Sequence, residues 1–296
     1  MLTGKLREYV VFYKRTALDF LCRIKNPYFV FVYVFIAGRS NEYVDRSWLN
    51  AQLLGRLMSL KGFRSFKLTG TGVLLLIGPD SVVKVPLGEA ASHSLKQNFQ
   101  NYKLLKNTSL SHYVAYNLEF LKGCYKMDLL SSANASTDEV KSIIEDLRSF
   151  SETKELSSEF VAGKCAQGVD VLKRFTGEEV AVPGDILLHS SVMHGDLTEG
   201  NIMKSAENNN VLIDLDRFDF FGIDGIDELH FKVTQESVRR KCSFFESLSD
   251  MIAHEQQRGL LTVYLLHRVA VEHVEGVVLD RRYYEKALSL YKALKR

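Results

Sequence analysis

The chain has little of what stabilises small secreted or metal-bound proteins. Its 296 residues include four prolines and four widely spaced cysteines, Cys22, Cys124, Cys165 and Cys242. No CxxC pair and no cysteine–histidine cluster has the spacing of a zinc site, so a structural zinc and a disulfide framework are both disfavoured. Free thiols in a reducing cytosol are the simpler interpretation. With 46% hydrophobic and 25% charged residues, the composition is that of a folded globular protein.

A long hydrophobic run is also missing. The longest, Tyr28–Ala37, contains about ten apolar residues, whereas a helix that crosses a bilayer needs roughly 20. The charged residues before this run are spread along a long amphipathic segment and do not form the compact head of a signal peptide. We therefore expect no transmembrane span, no secretion signal and a cytoplasmic location.

Charge is unevenly distributed along the chain. Residues 1–40 have seven basic and two acidic side chains, so this segment is near +5, and the net charge of +2 leaves the rest near −3. Apolar residues recur at helical intervals up to Ile24, which predicts a basic amphipathic helix before the aromatic run. Two interpretations stay open: an appendage packed on the following lobe, or a device for peripheral contact with the inner face of a membrane. No nucleic-acid partner is expected.

The next part of the chain changes from helical to strand periodicity. A helix is predicted at 44–60, and residues 66–86 read as three short antiparallel strands separated by glycine-containing turns. Gly70 and Gly72 in the first turn could let backbone amides approach a phosphate, or could simply join two strands. Lys84 is a lone charge among valines; it either faces solvent or is buried with a partner.

Further elements are predicted from periodicity and turn residues. We expect strands at 112–118 and 123–127 and a small-residue linker at 131–136. Helices are expected at 90–106, 137–153, 186–191, 233–253, 259–274 and 283–294. Tyr283, Tyr284 and Tyr291 in the last of these favour the core over a sugar-stacking surface.

One motif has a distinctive chemistry. His194-Gly195-Asp196 is followed by Asn201 and, after an asparagine turn, by an apolar strand that ends in Asp214 and Asp216. Phosphoryl transfer needs a carboxylate that accepts or orients the proton of the acceptor hydroxyl, and oxygen ligands for Mg²⁺ on the triphosphate. Asp196 suits the first task, and Asn201 with Asp214 suits the second. If the segments at 202–204 and 211–213 pair as a hairpin, they carry the two ligands to the same end.

The loop at 194–201 and the strand at 213–216 resemble those of aminoglycoside phosphotransferases and choline kinases. The resemblance covers roughly residues 60–296 and extends to the order of the glycine turn, strand lysine, helix, hinge, catalytic loop and metal strand. It implies an α+β, bilobal, protein-kinase-like fold with a small antiparallel-sheet lobe and a larger, mainly helical lobe. It also implies ATP and Mg²⁺ as the cofactors.

The resemblance assigns roles to individual residues. Lys84 would contact the α- and β-phosphates, the hinge backbone at Met127 and Leu129 would read the adenine, and His194 would support the loop. Asp216 would either help a second Mg²⁺ or be structural. An aspartate after the metal strand would brace the catalytic loop, with Asp227 the candidate and Asp224 the alternative.

One feature departs from the pattern of these kinases. The helix residue that pairs with the strand lysine is usually acidic, but Gln100 and Asn101 stand near that position. Either one of them orients Lys84 through a neutral hydrogen bond, or the partner comes from elsewhere in the chain.

The expected organisation is a basic extension at 1–43, a nucleotide-binding lobe at 44–130 and a catalytic, acceptor-binding lobe at 131–296. The predicted activity is ATP- and Mg²⁺-dependent transfer of the γ-phosphoryl group to a hydroxyl of a small molecule or saccharide, with a membrane-associated lipopolysaccharide or envelope sugar as the preferred acceptor. The alternative is a nucleotide-binding, pseudokinase-like regulatory module. A protein kinase is disfavoured because Gly195 follows the histidine and no A-P-E-like segment follows Asp214.

Overall fold

The computed structural model describes Val34, Val44 and residues 63–295 apart from 122, 134, 185, 255–257 and 275–280. The predicted amphipathic helix, the rest of the aromatic run and the helix predicted at 44–60 therefore lie outside the described residues. The described chain forms two compact units. The first contains the residues up to Lys96 together with Tyr116–Leu129, and the second contains Gln97–Ala115 and the residues from Leu130 onward.

The first unit is built on a five-stranded antiparallel sheet. Its strands are β1 (Ser65–Leu68), β2 (Val73–Ile77), β3 (Ser81–Pro86), β4 (Leu118–Leu121) and β5 (Cys124–Asp128), in the order β1-β2-β3-β5-β4. From Leu74 to Ile77 the side chains of β2 alternate between buried and partly exposed, as expected for a sheet with one face on a core. Val34 and Val44 are buried in that core with Leu74 and Leu76. The three-stranded meander predicted at 66–86 is confirmed.

Helix α1 (Glu89–Leu105) begins in the first unit and ends in the second. The strand predicted at 112–118 is wrong over most of its length, because Ser109–Val114 is a 3₁₀ helix and β4 begins only at Leu118. The cause is local: the Thr108 hydroxyl accepts a hydrogen bond from Leu110 N at 3.1 Å, which caps a helical turn.

The second unit contains two small antiparallel sheets. In one, β6 (Ser131–Ser132), β8 (Ile202–Lys204) and β9 (Asn210–Leu212) lie in the order β6-β8-β9; in the other, β7 (Ser190–Met193) pairs with β10 (Asp219–Ile223). The helix predicted at 186–191 is wrong. Long-range pairing overrides local periodicity there: Leu156 N donates to Leu188 O at 2.8 Å, and Ser190 pairs with Ile223.

Helices make up most of the second unit. They are α2 (Thr137–Ser149), α3 (Ser158–Thr176), α4 (Ile226–Arg240), α5 (Phe244–His254), α6 (Arg258–Val274) and α7 (Arg281–Leu294). Helices α3 to α7 share one core, in which Tyr264, Tyr284 and Tyr291 are buried, so the core interpretation of the last two tyrosines is confirmed. Helix α3 has no counterpart among the predicted elements. The α+β class, with one sheet-based and one mainly helical unit, is confirmed.

Among the described residues, no helix combines the length and the apolar character needed to cross a bilayer.

Candidate active site

The candidate catalytic loop starts where β7 ends. Gly195 has a positive φ of 81°, and a Cβ atom there would lie 2.6 Å from Arg217 O. Side chains are disfavoured in this left-handed conformation, and no space exists for one. Glycine therefore lets the loop turn tightly against the segment that follows Asp214.

Asp227, near the start of α4, holds the loop through hydrogen bonds to its backbone. Its carboxylate is 5% exposed and accepts hydrogen bonds from His194 N at 2.6 Å and Gly195 N at 2.9 Å. Burial raises the pKa of Asp227, while the hydrogen bonds from these two amides oppose that shift. The predicted brace is thus confirmed as Asp227. The alternative, Asp224, instead accepts a hydrogen bond from Arg148 Nε at 2.7 Å.

His194 links the loop to the segment of the predicted metal ligands. Its Nε2 lies 2.9 Å from Ile213 O, and its Nδ1 lies 3.3 Å from Asp196 N. Because a backbone amide can only donate, Nδ1 is the acceptor and Nε2 carries the proton. The ring therefore bridges the two segments through its two nitrogens. The supporting role that the resemblance implies for His194 stays a prediction.

The predicted hairpin is present and brings Asn201 and Asp214 to the same end. Ile202 pairs with Leu212, and Ile213 N donates to Asn201 O at 3.0 Å. The Asn201 amide nitrogen donates to Asp196 O at 2.8 Å, so its Oδ1 is the atom left to act as a ligand. An amide oxygen beside a carboxylate is a donor set that suits Mg²⁺.

The segment around Asp214 differs from the prediction. Strand β9 ends at Leu212, Asp214 has a left-handed conformation (φ 55°, ψ 56°), and Leu215–Arg217 is a 3₁₀ turn. The expectation that Asp214 and Asp216 lie on the same side of one strand is therefore wrong. Whether Asp216 is a metal ligand remains a prediction.

Two asparagines of α1 hold this turn in place. Asn98 Oδ1 accepts from Leu215 N at 3.2 Å, and the Asn101 amide donates to Leu215 O at 2.6 Å and Phe218 O at 3.2 Å. All three backbone groups follow Asp214, so α1 helps to set its position. Gln100 is exposed.

The Asp196 carboxylate is held by three cationic or ionisable side chains. Its Oδ1 lies 3.0 Å from Arg217 Nη1, from Arg268 Nη1 and from His230 Nε2. Burial alone would raise the pKa of Asp196, but the hydrogen bond with His230 and the two guanidinium charges keep that pKa well below its usual range. Asp196 is therefore an ionised carboxylate at neutral pH. Among the described residues, Asp196 Oδ2 has one polar contact, 3.4 Å from the Asn201 amide nitrogen, and so faces fewer donors than Oδ1.

The sequence alone does not predict this cluster of charged side chains. Arg217 comes from the 3₁₀ turn, His230 from α4 and Arg268 from α6. Arg217 stands one residue after the motif and could have been noticed as a lone cation beside two acids. His230 and Arg268 are separated from Asp196 by 34 and 72 residues, with no spacing that marks them.

The predicted nucleotide-binding residues of the first unit lie on its sheet. Lys84 is 7% exposed on β3, and the Gly70–Gly72 turn joins β1 to β2. Gly72 has a positive φ of 75°, whereas no described atom lies within 4 Å of a Cβ added at Gly70, so a ligand has room to approach there.

At the predicted hinge, Met127 lies within β5, between β3 and β4. Leu129 N donates to Asp80 O at 2.9 Å. Since that amide already has a partner, a contact of Leu129 with adenine would use its carbonyl oxygen.

In the described part of the chain, no group of three or more His, Cys, Asp or Glu side chains could hold a metal. A site made by Asp214, Asn201 and phosphate oxygens does not need such a group, because Mg²⁺ commonly keeps few protein ligands and binds through substrate phosphates.

The described residues thus combine an antiparallel-sheet unit with a mainly helical unit that contains the loop at 194–201. No protein-family model matches the sequence, and no curated protein matches it. Among solved structures, the choline kinase LicA from Streptococcus pneumoniae is similar at 14% identity and a TM-score of 0.48, over 81% of this chain and 96% of that chain. The gentamicin complex of APH(2")-IIa has 12% identity and a TM-score of 0.42, over 83% and 96%. A choline/ethanolamine kinase family protein from Mesorhizobium loti has 12% identity and a TM-score of 0.38, over 85% and 94%.

Proposed function

We propose that this protein is an ATP- and Mg²⁺-dependent phosphotransferase that moves the γ-phosphoryl group to a hydroxyl of a small molecule or sugar. One observation carries the proposal. Asp227 and His194 fix a loop that presents the ionised Asp196 carboxylate beside Asn201, at the end of the hairpin that also leads to Asp214. A positioned carboxylate next to a pair of oxygen ligands is the arrangement that phosphoryl transfer requires.

In the proposed reaction, the acceptor hydroxyl donates its hydrogen bond to Oδ2 of Asp196. The hydroxyl oxygen forms a bond to the γ-phosphorus, the bond from that phosphorus to the bridging oxygen of ADP breaks, and the hydroxyl proton is released to solvent. Because its pKa is held low, Asp196 orients the hydroxyl and does not retain the proton. Bound Mg²⁺, held by Asn201 and Asp214, would neutralise charge on the phosphates. Lys84 would pair with the α- and β-phosphates.

Within this class, we place the acceptor among hydroxyl-bearing saccharides and amino alcohols. Envelope sugars assembled at a membrane are the first group to test, because the basic residues and the aromatic run of residues 1–40 suit an anionic lipid surface. That segment would keep the enzyme peripheral to the membrane. Removing residues 1–40 should then lower co-sedimentation with anionic vesicles and leave transfer to a soluble acceptor unchanged.

The test of the activity itself is phosphate transfer from labelled ATP by the wild type and by Asp196→Asn and Asp214→Asn, with aminoglycosides, amino alcohols, sugars and envelope glycans as acceptors. Wild-type transfer should be lost in Asp196→Asn while nucleotide affinity stays, and Asp214→Asn should lose Mg²⁺-dependent nucleotide binding. Equal transfer by wild type and Asp196→Asn would show that the acceptor-orienting group has been wrongly assigned. Tight nucleotide binding without transfer to any acceptor or to water would favour the regulatory module.

A further inference from the structure

Glu272 and Tyr264 of α6 take no part in the proposed reaction, yet each is hydrogen-bonded to a side chain that contacts Asp196. We propose that Glu272 is a positioning residue, which acts through Arg268 to hold the Asp196 carboxylate in the orientation that transfer needs. This inference rests on the proposed phosphotransferase activity, and it concerns the placement of the acceptor-orienting carboxylate.

Three polar residues of α6 lie on one face of that helix. Tyr264, Arg268 and Glu272 are spaced by four residues, and side chains at that spacing lie above one another along a helix. Arg268 Nη1 donates to Asp196 Oδ1 at 3.0 Å. The Tyr264 hydroxyl lies 2.9 Å from Nδ1 of His230, whose Nε2 is 3.0 Å from the same carboxylate oxygen. One helix therefore supports the carboxylate by two routes.

Arg268 is a bridge between two carboxylates. One terminal nitrogen of its guanidinium donates to Asp196, and the other donates to Glu272. The Arg268 side chain is 8% exposed and that of Glu272 is 27% exposed. A planar guanidinium held at one nitrogen can swing about its side-chain bonds, whereas two anchors fix its plane. Glu272 therefore determines where Nη1 of Arg268 points, and so where Asp196 Oδ1 is held.

The backbone of α6 is itself held close to this face. A Cβ atom added at Gly168 of α3 would lie 2.0 Å from Leu266 O, so the two helices are in close backbone contact within the turn that separates Tyr264 from Arg268. Glu272 thus extends from a packed helix, which suits a residue that must place another side chain precisely. Precision matters because a displacement of about 1 Å can slow catalysis by about a hundredfold.

Loss of the Glu272 charge should weaken the support of Asp196 without removing it. Arg217 Nη1 and His230 Nε2 also lie 3.0 Å from Asp196 Oδ1. These contacts would keep the carboxylate near its position when Arg268 loses one of its two anchors. We therefore expect a partial loss of turnover, roughly tenfold, and not the loss that follows from removing the carboxylate itself.

The first experiment compares Glu272→Gln, Arg268→Gln and the double variant with Glu285→Gln. Glu285→Gln is a matched control, because Arg281 and Glu285 on α7 are also an arginine and a glutamate four residues apart, but their side chains are 79% and 56% exposed. Hydrolysis of ATP·Mg²⁺, with water as the acceptor, gives kcat and KM. Calorimetry gives the affinity for ADP·Mg²⁺, and unfolding temperatures show whether each variant is folded.

Glu272→Gln should lower kcat roughly tenfold and leave the KM for ATP and the affinity for ADP·Mg²⁺ within about threefold of wild type, because the proposed nucleotide-binding residues are unchanged. In the Arg268→Gln background it should slow turnover no further, because Glu272 acts through Arg268. Glu285→Gln should match wild type. An unchanged kcat in Glu272→Gln, or two losses that multiply in the double variant, would overturn the inference and leave the proposed activity intact.

The second experiment needs no turnover and measures the effect of Glu272→Gln on Tm in wild type and in Asp196→Asn. Without the Asp196 charge, Glu272 is the carboxylate that Arg268 still contacts among the described residues, and a buried guanidinium without a carboxylate is costly. The loss of Tm from Glu272→Gln should therefore be larger in Asp196→Asn by about 2 °C or more. Glu285→Gln should lower Tm equally in both backgrounds.

Equal Tm losses for Glu272→Gln in the two backgrounds would overturn the coupling of Glu272 to Asp196, whatever the activity of the protein. A wild-type protein that shows the coupling but neither binds ADP·Mg²⁺ nor turns over ATP would instead overturn the proposed function.

Discussion

Two glycines on the same helix should respond in opposite ways to the same substitution. Gly168 and Gly163 both lie in α3, but a Cβ added at Gly168 would lie 2.0 Å from Leu266 O on α6, whereas no described atom lies within 4 Å of one added at Gly163. Carbon and oxygen atoms in ordinary contact are about 3.5 Å apart, so Gly168→Ala requires the two helices to separate locally by on the order of 1.5 Å.

The magnitude follows from two opposing effects. Overpacking of a tight interior typically costs 1–3 kcal/mol, and the obstacle here is backbone, which cannot rotate away. Alanine gains about 1 kcal/mol over glycine within a helix. We therefore expect Gly168→Ala to lower the free energy of unfolding by about 2 kcal/mol, and Gly163→Ala, which meets no obstacle, to raise it by up to about 1 kcal/mol.

The assay is thermal and guanidinium-induced unfolding of wild type and the two variants under identical conditions. At about 2–4 °C per kcal/mol for a chain of this size class, the two variants should differ in Tm by about 6 °C or more, with Gly163→Ala the higher. Equal shifts for both variants would refute the close approach of α3 to α6 at Gly168. So would a Tm for Gly168→Ala above that of the wild type.

Three further predictions concern buried charge. Asp227→Asn leaves one amide of the loop at 194–201 without an acceptor, so it should lower the free energy of unfolding by about 1–3 kcal/mol, measured with denaturant. Asp224→Asn breaks a partly exposed ion pair and should lower it by less than about 1 kcal/mol. Similar losses for both variants would contradict the role of Asp227 in holding the loop. Folding lowers the pKa of Asp196, so this carboxylate stabilises the folded state above its unfolded pKa, near 4, and that stabilisation is lost as the pH falls further. Below about pH 4, the free energy of unfolding of the wild type should therefore fall more steeply with pH than that of Asp196→Asn. Burial lowers the pKa of His267 to about 4, so the unfolded chain binds more protons than the folded chain between about pH 4 and 6.5. Over that pH range, the free energy of unfolding of His267→Gln should fall less on acidification than that of the wild type. An equal dependence on pH in both proteins would mean that this ring is hydrated.

Elements fixed by local sequence were predictable. The meander of β1–β3 follows from alternating aliphatic residues and turns at glycine and Gly78-Pro79-Asp80, and the β8–β9 hairpin follows from the asparagine turn, in which Asn208 has a positive φ of 64°. In these cases the residues that favour the turn and the residues that pair are neighbours in the chain, so one sequence contains all the information.

Elements fixed by distant partners were not predictable. Residues 190–193 form a strand because β10 supplies its partner, about 30 residues later. Helix α3 contains Gly163 and Gly168, which lower its helix propensity. Gly168 is required because α6, nearly a hundred residues away in the chain, packs closely against it. The sequence shows a glycine that disfavours a helix, but it does not show the distant helix that requires that glycine.

The candidate site likewise has a part that local spacing predicts and a part that distant residues supply. This difference affects how the proposed catalytic role of Asp196 should be tested. The spacing of His194, Asp196 and Asn201 made the loop recognisable, but nothing in that spacing indicates that Asp196 neutralises Arg217 and Arg268 in a largely buried cluster. Replacing Asp196 by alanine would leave two guanidiniums facing each other without their shared carboxylate, a loss that is costly when charges are buried. Inactivity of that variant could then reflect local rearrangement. Asparagine keeps an oxygen near the position of Oδ1 and removes only the charge, so Asp196→Asn, with its unfolding measured beside its turnover, separates the role of the carboxylate in transfer from its role in holding the cluster together.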